Sequence, residues 1–258
     1  MAEAAGADVE LIQFLYSPYN EKVRWALDWK RVPHRRRSLL PGPHLPYLKK
    51  RSGQTQTPVL RIDGEYVAGS ATILDTIEQR WPEPALLPAA GGERRLILDI
   101  QRRFDEDWGP RMRRALLAPI IDDSAYFAAV FGADHPGYVQ NLYRWTVPFA
   151  RPLIRKANGI ADRASIDDGI VAADEAFSFV ARRAQDGGGY LISRRFTLAD
   201  LVACAHLAIF AEPRHPDTLR PRPTPAALEY QVARWQAHAG SVWVREIYRR
   251  HRPTPIAD

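Results

Sequence analysis

The stretch that decides the fold is Glu10-Leu11-Ile12-Gln13-Phe14-Leu15-Tyr16-Ser17-Pro18-Tyr19-Asn20-Glu21-Lys22-Val23-Arg24. Its first part, residues 10–15, is mostly apolar and predicts a central β-strand. Ser17 is a favoured helix N-cap and Pro18 a favoured first helical residue, so a helix is expected to begin here and to end before Pro33. This junction places a serine hydroxyl beside the unpaired backbone N–H groups of a helix N-terminus.

Further strand, turn and helix signals follow in an order that is typical of one fold. A β-α-β unit comes first, and a β-hairpin with a closing helix follows it, which together predict a thioredoxin-like α/β topology. The Asp63-Gly64 pair is a strong hairpin-turn signal. The expected elements are a strand over 34–40, a loop or short helix over 44–53, strands over 57–62 and 65–68, and a helix that opens at Gly69-Ser70 and stops at Trp81-Pro82.

A linker is predicted over residues 82–92, which hold three prolines and two glycines. The expected domains are a thioredoxin-like N-terminal domain over 8–84 and an all-α C-terminal domain over 93–258, because strand signals vanish after the linker. Thr197 and Asp200 form a capping box ahead of an apolar run, so their helix is expected to be central. Helices are expected near 93–117, 122–131, 138–157, 165–186, 197–211, 224–238 and 241–250, with 212–225 extended along the surface.

Composition limits the classes of function. Hydrophobic residues make up 46% of the 258 residues and charged residues 26%, and no run approaches the ~20 apolar residues of a membrane span. Cys204 is the single cysteine, which excludes an internal disulfide, fits a cytoplasmic protein and is expected to be a buried small hydrophobe. The net charge is +6, but the basic residues are spread along the chain, so no nucleic acid is expected as partner. Because no long apolar run is present, no membrane is expected as partner either. The seven histidines are scattered, which predicts no metal site.

Four local features resemble the cytosolic glutathione transferase superfamily in their order and spacing. They are Ser17-Pro18-Tyr19-Asn20-Glu21-Lys22-Val23-Arg24, Thr57-Pro58-Val59-Leu60, Gly69-Ser70-Ala71-Thr72-Ile73-Leu74 and the capping box at Thr197 to Asp200. The first has the S-P-Y-x-x-K-V-R form of the serine- and cysteine-type members. The resemblance implies that the N-terminal domain binds glutathione as a co-substrate, that a small electrophilic substrate binds between the domains, and that the protein is a homodimer.

Ser17 is the candidate catalytic residue, because the resemblance places the first residue of its motif against the glutathione sulfur. A free thiol has a pKa near 8.5, and its thiolate is the nucleophile. A helix N-terminus and a hydroxyl donor can both stabilise the negative charge on sulfur. Serine forms no mixed disulfide, which favours conjugation, displacement or isomerisation over disulfide reduction. Two alternatives stay open: Ser17 only caps the helix, or Tyr16 takes the sulfur contact.

The candidate glutathione-binding residues are Tyr19, Gln56, Thr57, Pro58, Gly69 and Ser70. Tyr19 is a nearby hydroxyl donor. Thr57-Pro58 resembles the family's cis-proline site, where the backbone of Thr57 pairs with the cysteinyl part of glutathione; an ordinary trans proline is the alternative. Gln56 lies where the family reaches the glycyl end of the ligand, and Gln54, His44 and Lys49 are lesser candidates there.

The start of the predicted helix at Gly69-Ser70 suits the γ-glutamyl carboxylate, because a hydroxyl and free N–H groups meet there. A plain structural cap is the alternative. The family usually has an acidic residue where this sequence has Gly69. Either another carboxylate serves, for example from the partner subunit, or the ligand is a different thiol.

A non-catalytic binding or scaffold protein is the alternative to a transferase, because one fold hosts both. The first long helix after the linker is expected to line the electrophile pocket. The candidates are chosen by their position alone, and which side of the helix faces the pocket is left open. They are Asp105, Trp108, Arg111, Met112 and Arg114. Arginines there suit an anionic substrate, and solvated helix charge is the other interpretation.

Overall fold

The computed structural model describes residues 6–256, which form four strands and eleven α-helices. The N-terminal part contains β1 (Val9–Gln13), α1 (Pro18–Trp29), β2 (Arg35–Ser38), α2 (His44–Ser52), β3 (Val59–Ile62), β4 (Glu65–Ala68) and α3 (Ser70–Arg80). The helical part contains α4 (Gly92–Arg102), a π-helical turn (Arg103–Trp108), α5 (Gly109–Asp122), α6 (Ser124–Gly132), α7 (Gly137–Ala157), α8 (Arg163–Asp186), α9 (Leu198–Ala211), a 3-10 turn (Pro216–Thr218), α10 (Ala226–Ala233) and α11 (Ala239–His251).

The sheet has the strand order β2-β1-β3-β4, with β1 and β2 parallel and the other pairs antiparallel. This confirms the thioredoxin-like α/β domain, which the sequence predicts from a β-α-β unit followed by a hairpin. Ile12 lies opposite Val59, and Val59 lies opposite Ala68. The end of β1, the start of β3 and the end of β4 therefore meet at one edge of the sheet, and both α1 and α3 begin there.

The core is continuous between the sheet and the helices. All five residues of β1 are buried, and α1 packs against both α3 and α9. Every residue of α9 except Ile209 is buried, which confirms that this helix is central. Its start is held by Asp200, whose carboxylate accepts hydrogen bonds from the backbone N–H and hydroxyl of Thr197 at 2.9 and 3.0 Å.

The predicted single helix over 93–117 is interrupted, which the sequence analysis did not foresee. The N–H of Gly109 bonds to the carbonyl of Phe104, five residues back, and so closes the π-helical turn. A Cβ at position 109 would lie 2.4 Å from that carbonyl oxygen and 2.7 Å from the ring of His206. Only glycine therefore fits where this turn meets α9.

The expectation that 212–225 runs along the surface is wrong in part. His215 and Asp217 are each only 8% exposed. Asp217 accepts charge-assisted hydrogen bonds from Arg36 at 2.7 Å and from Arg252 at 2.5 Å. These two arginines draw the middle of the segment into the protein.

Among the helices of residues 6–256, no single one is both long and apolar enough to cross a membrane. One bent pair, Gly92–Asp122 with Ser124–Gly132, meets the length and composition criteria only when its two parts, at 115° to each other, are combined.

Candidate active site

Ser17 lies between β1 and α1 as the N-cap residue of α1, in extended backbone conformation. Its carbonyl accepts hydrogen bonds from the N–H groups of Asn20 and Glu21 at 3.0 and 2.8 Å. Its hydroxyl makes no capping hydrogen bond, and the residue is partly exposed. The cap is therefore made by the backbone, and the hydroxyl stays available for a ligand. The catalytic role of Ser17 remains a prediction.

The loop before β3 faces the start of α1. The Thr57–Pro58 peptide bond is cis, as the resemblance implied. The buried Asn20 donates a hydrogen bond to Thr57 Oγ1 at 3.2 Å, which ties the loop to α1. Gln56 is exposed, and the side-chain amide of Gln54 bonds to both its N–H and its carbonyl at 3.1 and 2.7 Å. Gln54 thus supports the loop itself.

Gly69 and Ser70 begin α3 at the same edge of the sheet. Gly69 has φ +88°, a conformation in which other residues are strained. A Cβ there would meet only Thr72 Oγ1 at 3.7 Å, so backbone conformation and not space excludes an acidic residue. Ser70 is buried, and the first helical hydrogen bond of α3 runs from the N–H of Ile73 to the carbonyl of Gly69. The N–H groups of residues 70–72 precede that bond and are free for an anion.

A buried ionic cluster joins α1, the π-helical turn and α9. Lys22 Nζ lies 2.6 Å from both carboxylate oxygens of Asp105. His206 Nε2 lies 3.1 Å from Asp105 Oδ1. Tyr19 packs edge-on against the ring of His206 and donates its hydroxyl to the backbone carbonyl of Asp105 at 2.8 Å. The turn is thereby fixed directly behind the start of α1.

The protonation of this cluster follows from burial and charge. Burial lowers the pKa of Lys22, which Asp105 opposes. Burial raises the pKa of Asp105, but the hydrogen bond from His206 and the charge of Lys22 outweigh it and leave the pKa below its ordinary value. Burial also lowers the pKa of His206. A neutral His206 that donates a hydrogen bond from Nε2 to an ionised Asp105 is consistent with the directions of all three pKa shifts.

The two tyrosines near Ser17 are engaged elsewhere. Burial raises the pKa of Tyr16 and of Tyr19 to about 12 each, so both stay protonated at neutral pH. The hydroxyl of Tyr16 donates to the carbonyl of Leu219, and that of Tyr19 to Asp105. Ser17 is thus better placed than Tyr16 to supply a hydrogen bond to sulfur. The predicted ligand contact of Tyr19 would come from its ring or backbone.

A cavity of about 340 Å³ lies between α3 and α4 and reaches the π-helical turn. Ala71, next to Ser70, lines it together with Asp105 and Glu106. Glu106 is exposed, whereas Asp105 is committed to Lys22. The Glu106 carboxylate therefore lines the same cavity as the first turn of α3, where Gly69 supplies no carboxylate.

Most residues nominated by position on the long helix are engaged in contacts within the helical part of the protein. Arg111 and Arg114 bind Asp168 of α8 at 2.7 and 3.2 Å. Trp108 donates to Glu175, also on α8, and Met112 lies in the core. The two arginines therefore pair with a carboxylate of α8, and whether they also serve an anionic substrate stays a prediction.

The lesser loop candidates are also accounted for. Lys49 donates to the carbonyl of Gly53 at the end of α2. His44 packs edge-on against Phe14, with ring centroids 4.8 Å apart. Cys204 is buried, and burial raises its thiol pKa well above the ordinary value, as expected for a packing residue.

Sequence reasoning missed Lys22, His206 and Arg113. Lys22 belongs to the motif of residues 17–24, but nothing in its local sequence indicates that its side chain is fully buried. His206 was the one polar ring within an otherwise apolar helical run, which was the available signal. Arg113 acts electrostatically on both Tyr19 and His206, and its buried Nε has no partner among the described residues.

Glu21, His215 and Asp217 also lie close enough together to hold a metal ion, with candidate ligand atoms within 4.8 Å. Both nitrogens of His215 are engaged, one with the N–H of Asp217 and the other with the carbonyl of Pro253. The two carboxylates bind Arg252. The cluster is a closed ion-pair network.

Lys22 and Lys30 allow a matched test of the role of the ionic cluster. Both side chains are fully buried, and each pairs with a carboxylate that is 12% exposed, Asp105 and Glu78 respectively. Lys22→Met and Lys30→Met should each lower the free energy of unfolding by about 3–5 kcal/mol, because a buried charge loses its partner. Only Lys22→Met should also raise the pKa of His206, since it removes a nearby cation.

Chemical denaturation and an NMR titration of the histidine rings measure both effects. An unchanged His206 pKa in Lys22→Met, or an equal rise in Lys30→Met, would contradict the described cluster.

Residues 11–85 match the sequence profile of the glutathione S-transferase N-terminal domain. No curated protein sequence matches the chain. Similar solved structures include a glutathione S-transferase from Rhodospirillum rubrum F11, at 17% identity and TM-score 0.61, which covers 94% of this chain and 88% of that chain.

Two further structures have the same overall fold. The beta-etherase LigF from Sphingobium sp. strain SYK-6 is 18% identical with TM-score 0.56, over 92% of this chain and 98% of its own. FzlA from C. crescentus is 21% identical with TM-score 0.55, over 97% of this chain and 96% of its own. Both are similar to this chain in fold alone.

The protein thus consists of a thioredoxin-like domain joined to a helical domain, and its candidate ligand site lies at the edge of the sheet. Residues 11–85 match the glutathione S-transferase N-terminal domain, and the chain as a whole shares the fold of solved glutathione S-transferase structures.

Proposed function

We propose that this protein binds glutathione and activates its thiol for conjugation, displacement or isomerisation of a small electrophile. The observation that carries the proposal is the meeting of two helix N-termini at one sheet edge, with the uncommitted Ser17 hydroxyl at one of them and Ser70 at the other. Helix N-termini stabilise anions, and glutathione presents both a thiolate and a γ-glutamyl carboxylate.

The roles follow from the positions of the groups. Ser17 would donate its hydroxyl to the sulfur and favour the thiolate. Ser70 and the free N–H groups of α3 would hold the γ-glutamyl carboxylate. The backbone of Thr57, beside Pro58, would pair with the cysteinyl part, and Gln56 would reach the glycyl end. Glu106 would take the α-amino group, the part of the ligand that an acidic residue at position 69 would otherwise serve.

The electrophile would bind on the opposite side of Ser17, against the helical domain. The thiol proton leaves to solvent when glutathione binds, and the thiolate then forms a bond to the electrophilic carbon. In a displacement the leaving group departs with its bonding electrons; in an addition the π electrons move onto the electrophile and take a proton from solvent, and an isomerisation reverses that addition and releases the thiolate. The reducing cytoplasm is the proposed location, because glutathione is a reduced thiol, and the proposed assembly is the homodimer that the resemblance implies.

Three serine-to-alanine variants test the roles of the two helix N-termini. Ser17→Ala should raise the thiol pKa of bound glutathione toward its free value near 8.5 and lower kcat about 10²–10³-fold, with little change in affinity. Ser70→Ala should weaken glutathione binding about tenfold or more, because it removes a hydrogen bond to a charged group. Ser124→Ala is the control, since Ser124 also begins a helix, α6.

Ultraviolet absorbance of the thiolate against pH and steady-state rates with model electrophiles are the readouts. A Ser17→Ala variant with wild-type thiolate absorbance would remove Ser17 from catalysis. Tight glutathione binding without turnover of any electrophile would favour the non-catalytic alternative.

A further inference from the structure

Helix α7 carries an apolar stripe on its outer face. Tyr138, Leu142, Trp145, Phe149 and Leu153 are 76%, 67%, 75%, 88% and 67% exposed. Their spacing of four, three, four and four residues keeps them on one side of the helix. A contiguous exposed apolar surface of this kind marks an interaction site in a folded protein.

The opposite side of α7 already serves the protein's own core. Tyr143 and Val147 are buried there, and the hydroxyl of Tyr143 donates to the carbonyl of Pro41 at 2.7 Å. The helix is thus held in place by its inner face, and the apolar stripe is not required for that packing. It presents two rings that are enriched at membrane interfaces, those of a tryptophan and a tyrosine, together with a phenylalanine.

The charges on α7 all have one sign. The helix contains Arg144, Arg151, Arg155 and Lys156, and it contains no carboxylate. The α6–α7 hairpin has a single acidic residue, Asp134, which accepts a hydrogen bond from Ser38. An outer face that combines apolar side chains with cations suits a surface that is apolar and negatively charged.

A basic cleft of about 470 Å³ lies at the C-terminal end of the stripe. Arg151, Arg155 and Lys156 line it with Pro152, Gly159, Ile160 and Ala161. Arg155 pairs with Asp122 at 3.3 Å, and Arg151 donates to the carbonyl of Asp122 and to Ser124. Arg151 Nε is buried and has no partner among residues 6–256. The cleft therefore retains positive charge that an anionic group could neutralise.

We propose that α7 docks the protein on an anionic phospholipid bilayer. The apolar stripe enters the boundary between headgroups and acyl chains, and the basic side chains contact lipid phosphates, one of them in the cleft. The helix lies along the bilayer surface and does not cross the bilayer, because its sequence contains four charged residues and two prolines. The proposal revises the expectation that no membrane is a partner, which rested on the lack of a long apolar run.

A second copy of the chain is a poorer occupant for this face. Two α7 helices packed stripe to stripe would bring together two sets of four cations, of which only Arg155 pairs with a carboxylate within residues 6–256, and neither helix offers a carboxylate of its own. A lipid surface supplies the missing negative charge. Docking on a bilayer through α7 is independent of the proposed enzyme activity.

The test is co-sedimentation with vesicles of phosphatidylcholine alone or with added phosphatidylserine. Wild type should bind the anionic vesicles at least tenfold more tightly, and the binding should weaken at high salt. Phe149→Ser should weaken it at least tenfold. The matched control is Tyr230→Ser, because Tyr230 is 87% exposed on α10, outside the stripe. Arg144→Gln with Lys156→Gln should weaken the binding roughly 30-fold, since each cation near the surface contributes about 1 kcal/mol.

Three outcomes would overturn the proposal. One is equal binding to neutral and anionic vesicles, or no binding to either. Another is an equal effect of Phe149→Ser and Tyr230→Ser. The third is a self-associated wild type that does not bind vesicles and that Phe149→Ser dissociates, which would make the stripe an interface between copies. Circular dichroism of each variant verifies that it is folded.

Discussion

Arg252→Met is expected to lower the free energy of unfolding by about 3–5 kcal/mol at pH 7. The Arg252 side chain is fully buried and donates to three carboxylates, those of Glu21 at 2.8 Å, Asp28 at 2.7 Å and Asp217 at 2.5 Å. Methionine has a similar volume but no charge. The variant would leave these carboxylates with Arg24 and Arg36 as their remaining partners in the cluster.

The pH dependence of this loss has a definite sign. Burial raises the pKa of Glu21, but Arg252 and Arg24 outweigh it and lower the pKa to about 2, below the ordinary 4.5. A depressed carboxyl pKa stabilises the fold above pH 4.5, and that contribution is lost as the pH falls toward 2. The difference in free energy of unfolding between wild type and Arg252→Met should therefore be largest above pH 4.5 and should become smaller in acid.

Chemical denaturation at pH 7 and at pH 3 measures this difference in free energy of unfolding. Arg249→Met is the control, because Arg249 binds Glu246 on the surface, with 69% of its side chain exposed. Such a pair contributes at most about 1 kcal/mol. Equal losses for the two variants would show that the buried network is not a main source of stability.

Asp200→Ala is the second change with a large expected effect. The carboxylate of Asp200 is buried and accepts hydrogen bonds from the backbone N–H groups of Leu191 and Thr197 at 2.8 and 2.9 Å. Alanine would leave both N–H groups buried without a partner, at about 1–3 kcal/mol each, so a total loss of about 3–5 kcal/mol is expected. The start of the central helix α9 would loosen with it.

Asp162→Ala provides the matched control for Asp200→Ala. Asp162 also forms a capping box, with Ser165 at the start of α8, but on the exposed surface. Its removal should lower the free energy of unfolding by only about 1 kcal/mol. Thermal or urea unfolding of the two variants compares them, and a loss for Asp200→Ala no larger than this would contradict the buried role.

The contribution of Asp200 to stability also depends on pH. Burial raises the pKa of Asp200 to about 6, although its hydrogen bonds oppose this. A raised carboxyl pKa means that the folded state holds the proton more tightly than the unfolded state, so this group's contribution to stability falls as pH rises from about 4 to 6. That part of the pH dependence should be absent in Asp200→Ala.

The elements that the sequence predicts well have signals confined to a few neighbouring residues. The Asp63-Gly64 turn, the Ser17-Pro18 helix start and the Thr197–Asp200 capping box each act within one turn of chain. They fix the order of elements, and that order with the strand register brings Ser17, Thr57 and Ser70 to one edge. The candidate site on the thioredoxin-like domain was therefore accessible from sequence.

The remaining parts of the candidate site depend on distant contacts. Lys22 and Asp105 are 83 positions apart, and His206 is 101 positions from Asp105. No local pattern links such residues, so Lys22 appeared only as a motif letter. The same is true of Asp217, whose partner Arg36 is 181 positions away and whose pairing buries a segment that was expected on the surface.

The exposed stripe of α7 illustrates a different limit. Its periodicity predicted a helix correctly, but a helical apolar pattern is equally typical of a core-facing side. Only the structure distinguishes the buried Tyr143 and Val147 from the exposed Trp145 and Phe149.

Calorimetric titration of the wild-type protein with glutathione tests the central claim most directly. The account predicts saturable binding of one glutathione per chain, with proton release as the thiol ionises. A desthiol analogue should not show this proton release. No detectable heat up to several millimolar glutathione, under conditions where the protein is folded, would contradict it and would remove the glutathione site at Ser17 and Ser70.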